Sequence, residues 1–204
     1  MTNLAGNYWE QRFTEAAVNH SGQNDEISKD FFKNINQNFD DLFKLSSSII
    51  EVGCGTGELT RMIADKYGKK IIGTDLSKHG IDFANRNYAN DLASYKVIDI
   101  LVDEINDLYD MAISSNTLEH FKDPFVVIDK VLSICKAFII LVPYDQPLTD
   151  GFDYEGGAGH VFRFTEKSFD KYKVIDWFLF KTNGWQHSSA GEDPRQLAIV
   201  ISNT

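Results

Sequence analysis

The sequence has few of the features that mark secreted, membrane or metal-binding proteins. It contains only two cysteines, Cys54 in a glycine-rich segment and Cys135 before an apolar run, so it has neither a disulfide framework nor a metal-ligand spacing. No apolar run approaches the roughly 20 residues of a membrane-spanning helix. The first residues, "MTNLAGNYWEQRF", lack the basic-then-apolar order of a secretion signal. We therefore expect a soluble, cytoplasmic protein with reduced thiols, no metal site and no membrane partner.

Positive charge is also scarce. The chain carries 20 lysines and arginines against 30 acidic residues, which gives a formal net charge of −10, and its basic residues form no cluster. Because such a chain repels a polyanion at long range, the charge argues against a nucleic-acid partner. The 204 residues, of which 43% are hydrophobic, fit one domain around a single core.

The pattern of apolar residues predicts the fold. Between residues 47 and 142, short β-branched runs alternate with segments of helical period, which is typical of a parallel sheet built from crossover units. The runs are "SIIEVG", "KIIGTD", "SYKVID", "DMAISS" and "AFIILVP". Two later runs, "KVIDWFLF" and "QLAIVIS", predict an antiparallel C-terminal hairpin at the sheet edge. We expect an α/β, Rossmann-like, mostly parallel sheet of seven strands with helices on both faces.

The same pattern divides this single domain into four parts. Residues 1–46 carry a helical apolar stripe and predict an N-terminal helical lid or packing helix. Residues 47–143 form the predicted cofactor-binding core. Residues 144–165 are long, rich in glycine and aspartate and without periodicity, which predicts an acceptor loop. Residues 166–204 predict a closing helix, capped by Thr165, and the last strands.

The glycine-rich stretch "IIEVGCGTGELT" occupies the first strand-to-helix turn, where doubly wound sheets bind their ligands. A phosphate-binding P-loop would end in Gly-Lys-Ser/Thr, whereas Gly57 is followed by Glu58 and Leu59. A dinucleotide fingerprint needs a small residue where Glu58 stands, which weakens that class but leaves it open. Glu51 suits an ammonium or sulfonium group better than a phosphate. The loop therefore favours a cationic nucleoside.

Four motifs, in order, resemble those of the class I S-adenosylmethionine-dependent methyltransferases over roughly residues 47–143. The resemblance implies that S-adenosyl-L-methionine is the cofactor and S-adenosyl-L-homocysteine the product. It assigns the ribose to the acidic end of the second strand, the adenine to the end of the third strand, and the methionine moiety to the glycine loop and the fourth strand. The implied cofactor-binding residues are Glu51, Gly53, Cys54, Gly55, Gly57, Asp75, Leu76, Asp99, Ile100 and Ser115.

The N-terminal "NYWEQRF" is similar to a segment that closes over the cofactor in many of these enzymes. On that reading Tyr8, Trp9 and Arg12 help to close the site. The alternative is an amphipathic helix that packs Trp9 and Phe13 on the core.

The implied reaction is methyl transfer to a small-molecule acceptor, and we favour an oxygen nucleophile. Holding two reactants in attack geometry supplies much of such a rate, so a dedicated base is optional. Because histidine titrates near physiological pH, His160 and His120 are the candidate catalytic residues. The alternative for His120 is a role in shaping the pocket, and Glu119 beside it is interpreted as a helix N-terminal charge. Other functions left open are a cofactor-binding regulatory or scaffolding protein without transfer activity, and a macromolecule methyltransferase. The acceptor's identity and the oligomeric state are not predicted.

Overall fold

Seven strands form one sheet in the computed structural model, which describes residues 8–14, 22–146, 148, 159–182 and 195–203. The strand order is β3-β2-β1-β4-β5-β7-β6. Strands β1 to β5 run parallel, and β7 lies antiparallel between β5 and β6. The bounds are β1 (Ser48–Val52), β2 (Lys70–Asp75), β3 (Ala93–Val97), β4 (Tyr109–Ser115), β5 (Cys135–Pro143), β6 (Lys173–Lys181) and β7 (Arg195–Ser202). This confirms the predicted Rossmann-like sheet and its C-terminal hairpin.

Helices cover both faces of the sheet. They are α1 (residues 8–14), α2 (Gly22–Asn38), α3 (Asp40–Leu45), α4 (Glu58–Tyr67), α5 (Lys78–Asn87) and α6 (Pro124–Leu132), with 3₁₀ turns at Leu118–His120 and Glu166–Phe169. Apolar residues of α2 to α5 pack with one face of the sheet. Those of α6 and both 3₁₀ turns pack with the other face. Within the described ranges, no helix is long and apolar enough to cross a membrane.

The predicted N-terminal apolar stripe is buried, but the helix that carries it is interrupted at Phe39. Phe31, Ile35 and Phe39 lie in the core cluster together with Phe180 of β6. Residues 27–45 are therefore a packing layer on the sheet. The closing segment that was predicted as a helix is a single 3₁₀ turn, which begins after a capping box between Thr165 and Ser168.

Local signals explain where the helices begin. Ser77 precedes α5, and its side chain accepts a hydrogen bond from the Gly80 N–H at 3.2 Å. Asp123 caps α6 in the same way through the Phe125 N–H, with Pro124 in the first turn. These starts follow the carboxyl ends of their strands, so the helix N-termini face one edge of the sheet.

Candidate functional site

A cavity of about 460 Å³ opens at the carboxyl ends of β1, β2 and β4. The strand order reverses between β1 and β4, which is the switch point where open α/β sheets bind their ligands. The volume lies in the range of small-molecule sites. The lining residues come mainly from the loops after four strands and from α1: Trp9, Phe13, Val52, Gly53, Asp75, Leu76, Ile98, Asp99, Ile100, Leu101, Asn116, Thr117, His120, Phe121, Lys122, Asp123 and Val126.

The glycine loop is built so tightly that side chains are excluded from it. Gly53 has φ +78°, and a Cβ there would lie 2.2 Å from the Thr117 Oγ1. Gly57 has φ +90°, and a Cβ there would meet Tyr95 and Ala84. Only glycine fits this combination of left-handed backbone and close approach. Gly53 therefore brings its backbone to the wall of the cavity, whereas Gly57 packs closely against Tyr95 and Ala84.

Asp75 ties the end of β2 to the glycine loop. Its carboxylate accepts hydrogen bonds from the Gly55 N–H at 2.9 Å and from the Ser77 N–H at 2.8 Å. Burial raises the pKa of Asp75, although these backbone donors oppose the shift. A carboxylate has about four lone-pair sites, so two donors leave acceptor capacity towards the cavity.

A second carboxylate, Asp99, lies across the cavity after β3. Its Oδ1 accepts the Leu101 N–H at 3.0 Å, which fixes the turn that follows. The side chains of Ile100 and Leu101 line the same wall. The cavity thus has an acidic group at the end of β2 and a mixed acidic and apolar wall after β3.

The structure places the predicted site residues in two groups. Gly53, Asp75, Leu76, Asp99, Ile100 and His120 line the cavity, whereas Glu51, Cys54, Gly55, Gly57, Ser115 and His160 are not among its lining residues. Cys54 is buried, and burial raises the pKa of its thiol. Within the described residues, most of the predicted residues that do not line the cavity lie beside the glycine loop or the strand ends that form its wall.

Glu51 is the clearest example of such a supporting position. Its side chain is 1% exposed and accepts a hydrogen bond from the Thr60 hydroxyl of α4. Burial raises the pKa of Glu51 to about 7. The carboxyl group therefore lies beneath the glycine loop, against α4.

Asn116 is a site residue that the sequence analysis missed by one position. It follows β4, lines the cavity and has φ 47°, which is uncommon for a residue other than glycine. Its side-chain Oδ1 and Nδ2 are buried without a hydrogen-bond partner among the described residues. Buried polar atoms normally have partners, so this amide is suited to a polar ligand. The available signal was an amide directly after a buried strand.

Helix α1 closes one side of the cavity. Trp9 and Phe13 line it, and the Trp9 ring lies edge-on to His120 with centroids 5.0 Å apart. A Cβ on Gly55 would lie 3.0 Å from the Phe13 ring, and a Cβ on Gly80 would lie 3.2 Å from it, so only small residues fit beside this ring. Trp9 and Phe13 therefore form part of the cavity wall, and closure of this segment over a cofactor stays a prediction.

Glu10 anchors α1 to the N-terminus of α5. Its carboxylate accepts hydrogen bonds from the Ser77 hydroxyl at 3.0 Å, the Lys78 N–H at 2.8 Å and the His79 N–H at 3.0 Å. Partial burial opposes ionisation, but these bonds prevail and lower the pKa of Glu10 to about 2. An anionic group at a helix N-terminus is also favoured by the helix dipole.

Two histidines and a glutamate meet beside the cavity. The His120 and His160 rings lie 5.3 Å apart, and both approach Glu119. Burial lowers the pKa of His120 to about 4 and raises that of Glu119 to about 8. Glu119, interpreted from the sequence as a helix N-terminal charge, lies in the first turn of the 3₁₀ helix, and its side chain is 1% exposed.

The predicted acceptor loop is described only at its two ends. Residues 147 and 149–158 lie outside the described residues. Arg163 pairs with Asp145, at 2.7 Å. The described ends of the loop are thus joined to each other, with Tyr144 bridging to Phe164.

The sheet order and the cavity at its switch point define the class I methyltransferase fold. A solved structure of an S-adenosylmethionine-dependent methyltransferase from Anabaena variabilis superposes with a TM-score of 0.71 at 17% identity, covering 98% of this chain and 95% of that one. Residues 50–137 match the family described as "Methyltransferase domain". This match and the shared fold support the predicted relationship to the class I S-adenosylmethionine-dependent methyltransferases.

Curated relatives carry different activities. The malonyl-[acyl-carrier protein] O-methyltransferase of Priestia megaterium is 31% identical over 122 residues, which are 59% of this chain and 44% of the relative. The N-demethylindolmycin N-methyltransferase of Streptomyces griseus is 38% identical over 48 residues, which are 24% of this chain and 20% of the relative. The chain thus spans less than half the length of these relatives.

Proposed function

We propose that the protein binds S-adenosyl-L-methionine in the cavity and transfers its methyl group to a small-molecule acceptor, with an oxygen nucleophile favoured. The observation that carries this proposal is the cavity at the switch point. It is lined by the Asp75 carboxylate and by the Asn116 amide, which has no hydrogen-bond partner among the described residues. A carboxylate suits the two ribose hydroxyls, and an unpartnered amide suits a polar group of the ligand. The residues present therefore fit the cofactor.

Each part of the cofactor has a candidate partner. Asp75 would hold the ribose, Asp99 the adenine amino group, and Ile100 would lie against the adenine ring. Asn116 and the backbone around Gly53 would border the methionine part. Glu51, Cys54, Gly55, Gly57 and Ser115 would act from behind this layer by fixing the loop and the strand ends.

The chain contributes alignment and shielding to the reaction. The bound cofactor supplies an electrophilic methyl group on a sulfonium. Trp9 and Phe13 of α1 cover one side of the cavity, which excludes water and narrows the approach of an acceptor. Alignment of this kind is worth roughly 7–11 kcal/mol, so an obligatory base is not required.

His160 and His120 are our candidates for groups that act on the acceptor. A hydroxyl acceptor loses a proton, and these imidazoles lie where one wall of the cavity meets the described end of the predicted acceptor loop. His120 has a pKa of about 4 because it is buried, which makes it a weak base at neutral pH. We therefore assign proton acceptance to His160 and a pocket-shaping role to His120.

The relatives' names support methyl transfer but differ in the acceptor, since they include O- and N-methyltransferases. The preference for a small molecule rests on the acidic net charge of −10 and the size of the cavity. We also propose a cytoplasmic location, where the free cysteines Cys54 and Cys135 would stay reduced.

A transfer assay tests the proposal. S-adenosylmethionine labelled on its methyl group is incubated with the protein and a cell lysate that has been split by filtration into small-molecule and macromolecular fractions. Label in a small molecule is the expected result, and an Asp75→Ala variant serves as the control. Label only in macromolecules would contradict the acceptor class, and tight binding of S-adenosylhomocysteine without any transfer would favour a regulatory role.

A further inference from the structure

The cluster of Glu119, His120 and His160 has the geometry of a metal site. The His120 Nε2 lies 3.8 Å and the His160 Nε2 4.0 Å from the Glu119 Oε1. One ligand atom from each residue falls within 4.8 Å of the other two. Metal bonds of about 2.0–2.2 Å place ligand atoms roughly 3.0–3.5 Å apart, so small side-chain movements would complete the site.

The orientation of His120 supports this interpretation. Its Nδ1 lies 3.1 Å from the Gly159 carbonyl oxygen. Because a carbonyl oxygen only accepts, Nδ1 carries the hydrogen and Nε2, which faces Glu119, has the lone pair. Metal-binding histidines commonly donate their other N–H to a backbone carbonyl in this way. The hydrogen bond thus fixes the tautomer that a metal requires.

The burial of Glu119 also favours a metal site, independently of the histidine geometry. Its side chain is 1% exposed, and neither Oε1 nor Oε2 has a hydrogen-bond partner among the described residues. The other glutamate that is buried to the same degree, Glu51, accepts a hydrogen bond from Thr60. Burying a carboxyl group without a partner costs free energy, and coordination of a metal ion offsets that cost.

We propose that Glu119, His120 and His160 bind one divalent transition-metal ion at the wall of the cavity. Two imidazoles and one carboxylate favour Zn²⁺, Fe²⁺ or Mn²⁺ over Mg²⁺ and Ca²⁺, which prefer oxygen ligands. Three protein ligands leave a coordination position open, as in catalytic metal sites. The sequence analysis expected no metal because the two cysteines have no metal-ligand spacing. His160 stands forty residues beyond His120 in the sequence, so this cluster forms no local motif.

If the proposed function is correct, the open coordination position of the metal ion could bind the methyl acceptor. His120 lines the cavity, so the ion would lie where an acceptor oxygen approaches the methyl group. A hydroxyl bound to a metal ion loses its proton to solvent more readily and is held in place. With the ion bound, His160 would serve as a ligand, and the proton of the acceptor would go to solvent instead of to His160. Oxygen acceptors that bind metals would be preferred. This role rests on the proposed function, but metal binding does not.

Calorimetric titration of the tag-free full chain with ZnCl₂, near neutral pH and without cofactor, tests the site. We expect one Zn²⁺ per chain, and a loss of affinity on the order of 100-fold in Glu119→Gln and in His160→Ala. Glu51→Gln is the matched control, because it alters an equally buried glutamate that has no histidine beside it, and it should bind Zn²⁺ like the wild type. Circular dichroism checks that each variant is folded.

The proposal is overturned if the folded wild type binds no Zn²⁺, or if Glu119→Gln and His160→Ala both bind it as tightly as the wild type. Titration of the same samples with S-adenosylhomocysteine separates the two proposals. Binding of the nucleoside without Zn²⁺ would leave the proposed function intact and remove the metal site. Binding of Zn²⁺ without the nucleoside would do the reverse.

Discussion

Replacing Asp75 with alanine should weaken binding of S-adenosylhomocysteine by about 10- to 100-fold. The carboxylate lines the cavity and is held in place by the N–H groups of Gly55 and Ser77. Hydrogen bonds to a charged group are worth about 1.5–3 kcal/mol, and each 1.4 kcal/mol is a factor of ten in the dissociation constant. Isothermal titration calorimetry measures the change directly.

The substitution also leaves two backbone N–H groups without their acceptor, so a control must share that defect. Asp110 provides one, because its Oδ2 accepts the N–H groups of Ser47 at 2.8 Å and Ser48 at 3.3 Å at the opposite end of the sheet. Asp110→Ala should lose thermal stability and keep its affinity for the nucleoside. Equal losses of affinity in the two variants, or unchanged affinity in Asp75→Ala, would refute the assignment of the ribose.

Three further predictions concern the cavity and its surroundings. Asn116→Gly and Asn116→Ala should both bind S-adenosylhomocysteine more weakly, but only the alanine variant should lower the melting temperature, because alanine tolerates φ 47° less well than asparagine or glycine does. Wild-type affinity in Asn116→Gly would contradict this. Since burial raises the pKa of Glu51 to about 7, the folded state keeps a proton that the unfolded chain releases near pH 4.5, so stability is lost as pH rises between these values. Glu51→Gln should remove up to about 3 kcal/mol of that pH dependence in denaturant titrations, and parallel curves for variant and wild type would show the reasoning to be wrong. Glu10→Gln should loosen α1 from the N-terminus of α5 and speed cleavage by trypsin after Arg12, with unchanged cleavage counting against the anchor.

The fold could be predicted from the sequence because buried parallel strands consist of short runs rich in β-branched residues. All seven runs form strands, and the acidic residues at the end of β2 and two positions after β3 line the cavity. A residue at the carboxyl end of a parallel strand can be placed near the site from the sequence, since these strand ends meet at one edge of the sheet.

The direction of individual side chains was harder to predict. Glu51 lies on the face of β1 that packs against α4, whereas its neighbour Val52 lines the cavity, as the alternation of a strand dictates. Asn116 replaces Ser115 at the cavity because its left-handed backbone turns the chain after β4. Neither choice is visible in a motif, which fixes a residue's position but not its direction.

Contacts between segments far apart in the chain could not be predicted from the sequence either. His160 approaches Glu119 because the N–H groups of Val161 and Phe162 donate to the Glu119 carbonyl oxygen at 2.9 and 3.1 Å. Such a pairing of two irregular segments has no periodic signal. The break at Phe39 between α2 and α3 was missed for a related reason, since the apolar stripe continues through it.

The most direct test of the central claim is a crystal structure of the protein with S-adenosylhomocysteine. We expect the ribose hydroxyls at hydrogen-bond distance, about 2.6–3.2 Å, from the Asp75 carboxylate, with the adenine between Asp99 and Ile100 and the methionine part beside Asn116. A nucleoside bound elsewhere on the chain, or a cavity that stays closed to it at saturating concentration, would contradict the claim.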